Sequence, residues 1–168
     1  ALAPTPLVRL HGLARTCGLG ALWLKDETAR FGLPAFKGLG AGFALETLAE
    51  RGALDGVDRL VCASEGNHGR AVAQAARRMG RRARVYLGAA VAESRATAIA
   101  SEGADIVRVP GTYDDAVRTA AQEAEANGWR VISDQSWEGY EAIPRLIMQG
   151  YTRLMDEAEA SWGAEGPP

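Results

Sequence analysis

The chain has 168 residues and a mass of 17.8 kDa, the size of one ordinary domain or of half a two-domain enzyme. Hydrophobic residues make up 47% and charged residues 24%, a composition that excludes extensive disorder and supplies a core. A net charge of −2 excludes the basic footprint of a nucleic-acid or anionic-lipid binder. No apolar run approaches the ~20 residues of a membrane span, and no signal core opens the chain, so a cytoplasmic protein is expected.

In chain order, a start containing Pro4 and Pro6 leads to one strand at 21–24, a loop through Gly32 and Pro34, and a helix at 37–51. From residue 57, four short apolar runs at 60–63, 83–87, 105–109 and 130–133 alternate with helical patterns, as in βαβ units of a right-handed parallel sheet. Between them, Val72, Ala75, Ala76 and Met79 form one apolar stripe and Val117, Ala120, Ala121 and Ala124 a second, both thin enough for close packing on a sheet. Thr112 and Asp115 supply an N-cap and a first-turn acid for the second of these helices, and Asn127-Gly128 ends it. A last helix carries Ile143, Leu146, Ile147, Leu154 and Met155 and is expected to end at Gly163, before Pro167-Pro168.

The expected fold class is α/β: a small domain at 53–138 built on a four-stranded parallel sheet, plus an incomplete portion of a second α/β domain. Residues 1–52 and 139–168 form that portion, because one strand and two helices cannot cover both sides of their own sheet. The alternative is that these flanks pack on the four-stranded sheet.

Cys17 and Cys62 stand far apart and outside any CxxC spacing, and both are expected as buried small hydrophobes. His11 and His68, without clustered cysteines, give no metal-site pattern. No GxSxG elbow occurs, and Gly38, Gly40 and Gly42 follow a loop and lack the third glycine of a dinucleotide fingerprint.

Ligands of an open parallel sheet collect at the carboxyl ends of its strands, which here selects two segments. Ser64-Glu65-Gly66-Asn67-His68-Gly69-Arg70 opens a helix whose amides suit a carboxylate or phosphate, though the same residues also make an ordinary capping turn. Asp134-Gln135-Ser136-Trp137-Glu138-Gly139-Tyr140 follows the last strand and also reads as a plain polar loop. Amine chemistry falls to Lys25, Lys37 or the N-terminus, since the other basic side chains, apart from the two histidines, are arginines. Lys37, at a helix start, faces the positive end of the macrodipole, which should depress its pKa and favour a Schiff-base role.

Pro4-Thr5-Pro6-Leu7, Leu24-Lys25-Asp26-Glu27-Thr28, Arg30-Phe31-Gly32-Leu33-Pro34-Ala35-Phe36-Lys37, Glu65-Gly66-Asn67-His68-Gly69-Arg70, Tyr113-Asp114-Asp115-Ala116-Val117 and Trp137-Glu138-Gly139-Tyr140 carry a resemblance. So do Ile143-Pro144 and Ile147-Met148-Gln149-Gly150-Tyr151. Together they resemble the N-terminal half of fold-type II pyridoxal-phosphate enzymes of the tryptophan synthase beta-like superfamily, the diaminopropionate ammonia-lyases in particular. Serine/threonine dehydratases share the plan but usually read Ser-Phe-Lys where this chain has Ala35-Phe36-Lys37.

The resemblance implies pyridoxal 5'-phosphate as cofactor, held covalently by Lys37 and contacted by Phe36 and Asn67. It implies that Ser64, Gly66, Asn67 and His68 grip the α-carboxylate of a small amino-acid substrate, and that Lys37, Glu65 and Asp134 are catalytic. Glu65 stands where the family has an aspartate, and one added methylene displaces a carboxylate on the ~1 Å scale to which catalysis is sensitive. The implied reaction is α,β-elimination on a small 2,3-diamino acid, giving pyruvate and ammonia, by a homodimer. The family's glycine-rich phosphate loop and its pyridine-nitrogen contact lie downstream of this stretch, so the 168-residue chain alone is expected to bind cofactor weakly and turn over little. A non-catalytic amino-acid or anion-binding module, an association module and a serine/threonine dehydratase-like enzyme remain as alternatives.

Overall fold

The computed structural model describes residues 2–162. The chain opens with a strand, β1 (Leu7–Arg9), a short helix, α1 (His11–Thr16), and a second strand, β2 (Trp23–Lys25), antiparallel to β1 with Val8 opposite Leu24. Of these, the sequence pattern shows only β2. Three residues carry no usable periodicity, so β1 exists through its pairing with β2, and α1 follows Leu10, which supplies no side-chain cap. Cys17, expected as buried, is exposed just past α1, whereas Cys62 is fully buried. A 3-10 turn at Arg30–Gly32 then leads into α2 (Lys37–Glu50).

The remainder is β3 (Arg59–Ala63), α3 (Asn67–Arg78), β4 (Arg82–Gly88), α4 (Glu93–Ala100), β5 (Ala104–Val109), α5 (Tyr113–Asn127), β6 (Arg130–Val131) and α6 (Ala142–Trp162). The four strands form one parallel sheet in the order β5-β4-β3-β6. The expected end of the last helix at Gly163, and Pro167-Pro168, lie outside the described residues. β6 stops two residues short of the expected 133. Ile132 N–H still donates to the Val61 carbonyl at 2.8 Å, but Ser133 N–H donates to the Tyr140 hydroxyl, which donates to the Val131 carbonyl, each at 2.9 Å. Tyr140 therefore takes over the next backbone bonds and turns Asp134 out of the sheet.

One side of the sheet is covered by α5, whose Ala116, Ala120 and Ala124 are buried with Val61, Ala63, Tyr86 and Val109. Ala120 and Ala124 are buried as expected, Ala116 joins them, and Val117 and Ala121 flank the stripe half-buried. Thr112 and Asp115 close a capping box, and Gly128 ends the helix at φ +66°. The other side carries α3, and α3 in turn packs against α2, which packs against α6. A helix between two layers needs more than one apolar face. Accordingly Ala71, Val72, Ala73 and Ala76 of α3 are all buried in a core that runs from Val85 and Leu87 through Leu45 to Ile147.

The α2–α6 crossing is close because glycines meet there. A methyl on Gly40 would lie 2.5 Å from the Tyr151 ring, and one on Gly150 2.5 Å from the Leu39 carbonyl oxygen. Gly38 is packed similarly, 2.6 Å from the Phe31 ring for an added methyl, while Gly42 faces open space. A buried ion-pair group ties both chain ends together. Arg30, 1% exposed, donates to Glu157 of α6 at 2.6 Å and to Glu27 at 2.7 Å, and Lys25 donates to Glu157 at 2.8 Å. Lys25 is thus committed to a structural carboxylate.

Candidate active site

Strand order decides where the site lies. From β3 the chain proceeds outward through β4 to β5, then returns to the opposite side of β3 as β6. Connections leave the carboxyl ends of β3 and β6 in opposite directions, and a crevice opens between them. Both sequence-selected segments arrive there, one from each strand.

After Ala63 the chain folds over the Ser64 hydroxyl, whose oxygen accepts from the Gly69 amide at 2.8 Å and the Gly66 amide at 3.1 Å. Gly69 has no room for a side chain, since a methyl would lie 2.9 Å from both Ser64 and Val85. With these amides engaged, the first-turn amides of Asn67 and His68 are left without an intrahelical acceptor. His68 is buried. Its Nε2–H donates to the Ile132 carbonyl at 2.8 Å, so Nδ1 is left as an acceptor, without a hydrogen bond, 3.6 Å from Asp134. Burial pushes the imidazole toward its neutral form against the pull of Asp134.

Lys37 reaches the same crevice from the first residue of α2. Its Nζ donates to Asp134 Oδ2 at 2.8 Å and lies 5.4 Å from the centres of both the Phe36 and Tyr151 rings. Burial disfavours the ammonium, but the bond to Asp134 and the neighbouring Tyr151 outweigh it, and the amine is held above its ordinary 10.5. This corrects the expectation that the helix N-terminus depresses the Lys37 pKa, since a carboxylate in direct contact dominates a partial charge. Burial likewise opposes ionisation of Asp134, yet His68 and Lys37 prevail and hold its carboxyl below 3.8.

The crevice is a cavity of about 700 Å³ walled by Lys37, the 64–68 turn, Asp134, Tyr113 and Arg95. The structure thus brings Lys37, Ser64, Gly66, Asn67, His68 and Asp134 together. Glu65 and Asn67 are exposed at its mouth, and neither side chain has a hydrogen-bond or ion-pair partner among the described residues. Phe36 lies behind Lys37, its ring edge-on to Tyr151 at 5.0 Å. Sequence reasoning assigned no role to Arg95, Tyr113 or Tyr151. Arg95 of α4 donates to the Glu65 carbonyl at 3.1 Å and carried no signal. Tyr113 and Tyr151 were visible only as matches to a family pattern. The Tyr113 phenol is pushed up to about 12, chiefly by burial and by Asp134.

The pattern of pyridoxal-phosphate dependent enzymes matches residues 1–166. The chain belongs to this family. Pyridoxal 5'-phosphate is the family's cofactor, and the site fits it: a single lysine amine, the N-terminal turn of α3 and a buried, unbonded imidazole nitrogen share a cavity of suitable size. Among curated relatives, the diaminopropionate ammonia-lyase of Escherichia coli K12 is 41% identical over 92% of this chain and 43% of its own length. A serine dehydratase-like protein of Mus musculus is 29% identical over 86% and 44%. The chain spans about half the length of the curated relatives it matches.

Solved structures of this family agree. Escherichia coli diaminopropionate ammonia-lyase in complex with an aminoacrylate-PLP azomethine reaction intermediate superposes with a TM-score of 0.91 at 40% identity, covering 100% of this chain and 46% of that one. The same enzyme has also been solved in complex with D-serine, with a TM-score of 0.91 at 38% identity over 100% of this chain and 47% of that one. A pyridoxal 5'-phosphate-dependent aspartate racemase, at 23% identity and TM-score 0.73 over 90% of this chain and 46% of its own, shares the fold. The fold is that of the N-terminal region of the fold-type II enzymes, with the expected four-stranded parallel sheet.

Proposed function

We propose that this chain is the lysine-bearing half of a pyridoxal-phosphate ammonia-lyase that eliminates ammonia from a small 2,3-diamino acid, with serine or threonine as weaker substrates. In this reading residues 1–52 and 139–168 belong to the large domain, and 53–138 form the small one. The observation that carries it is the 2.8 Å contact between Lys37 and Asp134 inside the cavity bounded by the 64–68 turn. When bound, the cofactor supplies an electron sink for negative charge developing at the substrate Cα.

Lys37 is the amine that holds the cofactor. Asp134 accepts a hydrogen bond from its ammonium, and the amine must give a proton to water before it condenses, since Asp134 and His68 are both held below their ordinary pKa values. The unbonded amides of Asn67 and His68 bind the substrate α-carboxylate at the positive end of α3, while the Asn67 side chain faces the cofactor, and Phe36 backs Lys37. A 2,3-diamino acid differs from serine by a second cation. Asp134, freed from Lys37 once that amine is occupied, recognises it. Lys37 then removes the Cα proton, the Cβ–N bond breaks with its electron pair leaving on nitrogen, and that nitrogen departs protonated as ammonia. The enamine left behind hydrolyses to pyruvate and a second ammonia. Glu65, exposed at the mouth, is proposed as a second base for the substrate enantiomer opposite to the one that Lys37 deprotonates.

Borohydride trapping with excess cofactor tests the reading: the cofactor mass should appear on the peptide containing Lys37, with a new near-visible imine band, and both should vanish in Lys37→Ala. Equal binding of 2,3-diaminopropionate with or without cofactor, and with Lys37 removed, would instead favour an amino-acid-binding module. Because the chain spans about half of its relatives, turnover by the 168 residues alone is expected to be slight, and addition of the relatives' second half should raise it. A cytoplasmic homodimer completes the proposal. Exposed Leu13, Leu19, Met148 and Met155 offer apolar interface, and sedimentation velocity showing only monomer would remove the dimer.

A further inference from the structure

The Tyr151 hydroxyl oxygen is buried and makes no short hydrogen bond among the described residues, and the nearby Lys37 amine opposes the rise that burial gives its pKa. The phenol is brought to its position by the α2–α6 crossing, where a methyl added to Gly40 would lie 2.5 Å from the Tyr151 ring. On its other side the ring meets Phe36 edge-on, 77° from coplanar. The Lys37 nitrogen lies over both rings at the same 5.4 Å, within the range of a cation–π contact.

We propose that Tyr151 is a positioning residue for Lys37: its ring, crossed by Phe36, and its buried hydroxyl form a seat that holds the free amine beside Asp134. The groups facing that amine are then complete. Asp134 comes from the segment after β6, His68 from α3 behind Asp134, and Tyr151 from α6, while Phe36 adds an uncharged face. During the proposed reaction Lys37 must leave the cofactor and return. A seat with two aromatic walls keeps the released amine within reach and out of bulk water while Asp134 is engaged by the substrate, and the hydroxyl turns its lone pair toward nitrogen once the amine has taken a proton. The inference depends on the reading of Lys37 as the reacting amine, but its test needs no cofactor.

The chain has two lysines, Lys25 and Lys37, so reductive ¹³C-methylation gives two lysine side-chain signals, assigned with Lys25→Arg. In Tyr151→Phe the Lys37 signal should titrate lower by about half a pH unit, as the hydroxyl's interaction with the ammonium is lost. Tyr151→Leu, which also removes the aromatic wall, should lower it further, with Lys25 unmoved in both. Titration of Lys37 unchanged in Tyr151→Phe and Tyr151→Leu, or equal movement of both lysines, overturns the seat. Borohydride trapping on Lys37 separates the two claims, since intact trapping with an unmoved titration removes the seat alone, and failed trapping removes the enzyme reading alone.

Discussion

Lys37 is stored as an ammonium, and the pH behaviour of the site follows from its partner. A folded-state pKa above 10.5 means that the Lys37–Asp134 contact stabilises the fold below that pH and that the contribution is lost as pH rises through the folded value. Asp134 has the opposite sign, because its depressed carboxyl contributes above 3.8 and loses the contribution as pH falls. Asp134→Asn should therefore lower the Lys37 titration seen by NMR more than Tyr151→Phe does, because it removes a charged acceptor. Glu65 differs from Asp134 in having no partner to lose. Glu65→Gln should change stability by less than about 0.5 kcal/mol in urea denaturation, so a selective loss of turnover on one enantiomer by the longer enzyme would report chemistry. If that substitution unfolds the protein, the description of Glu65 as a free carboxylate is wrong.

At the scale of elements, Gly40 and Gly42 of α2 look alike in sequence but differ in packing, and Gly150 of α6 behaves like Gly40. Gly40→Ala forces a methyl into Tyr151 and Ile147, and Gly150→Ala forces one into the α2 backbone. Each should cost about 1–3 kcal/mol, as overpacked sites do. Gly42→Ala meets nothing within 4 Å and should stabilise the helix by about 0.5–1 kcal/mol. Thermal denaturation of the variants side by side checks the contrast, and a loss at Gly42 as large as at Gly40 would refute the described crossing. Tyr140 does for β6 what no residue of the strand itself does, ending the ladder and aiming Asp134. Tyr140→Phe should therefore weaken the Lys37–Asp134 contact and shift the Lys37 titration downward without direct contact with either residue.

For the molecule as a whole, the ends are joined by charge. Glu157 lies among Arg30, Lys25 and Arg153, and although burial alone would raise its carboxyl, these partners hold it far below its ordinary 4.5. Its contribution is present above 4.5 and is withdrawn as pH falls below that value. Glu157→Gln leaves the buried Arg30 with Glu27 as its remaining counter-charge and should cost about 1–3 kcal/mol near neutrality. It should also flatten the acid limb of a stability–pH curve measured by urea denaturation. An acid limb unchanged by the substitution would mean that other carboxylates govern acid unfolding.

The four sheet strands, the helices between them, the cap at Thr112 and the stop at Gly128 were all legible from spacing and composition. Local propensity and period decide such features within a dozen residues. Lys37 and the 64–68 turn were legible as candidates too, since a near-absence of lysine and a glycine-bounded turn after a strand are local facts. What lay beyond reading were relations across the chain. β1 needs β2, Arg30 meets a carboxylate 127 positions away, and the Lys37 pKa is set by a residue 97 positions away. The helix dipole that the sequence offers as Lys37's environment is real, but it is outweighed by a full charge that only the return of β6 beside β3 delivers. Charge pairing and close packing depend on distance in space, and folding alone supplies that distance.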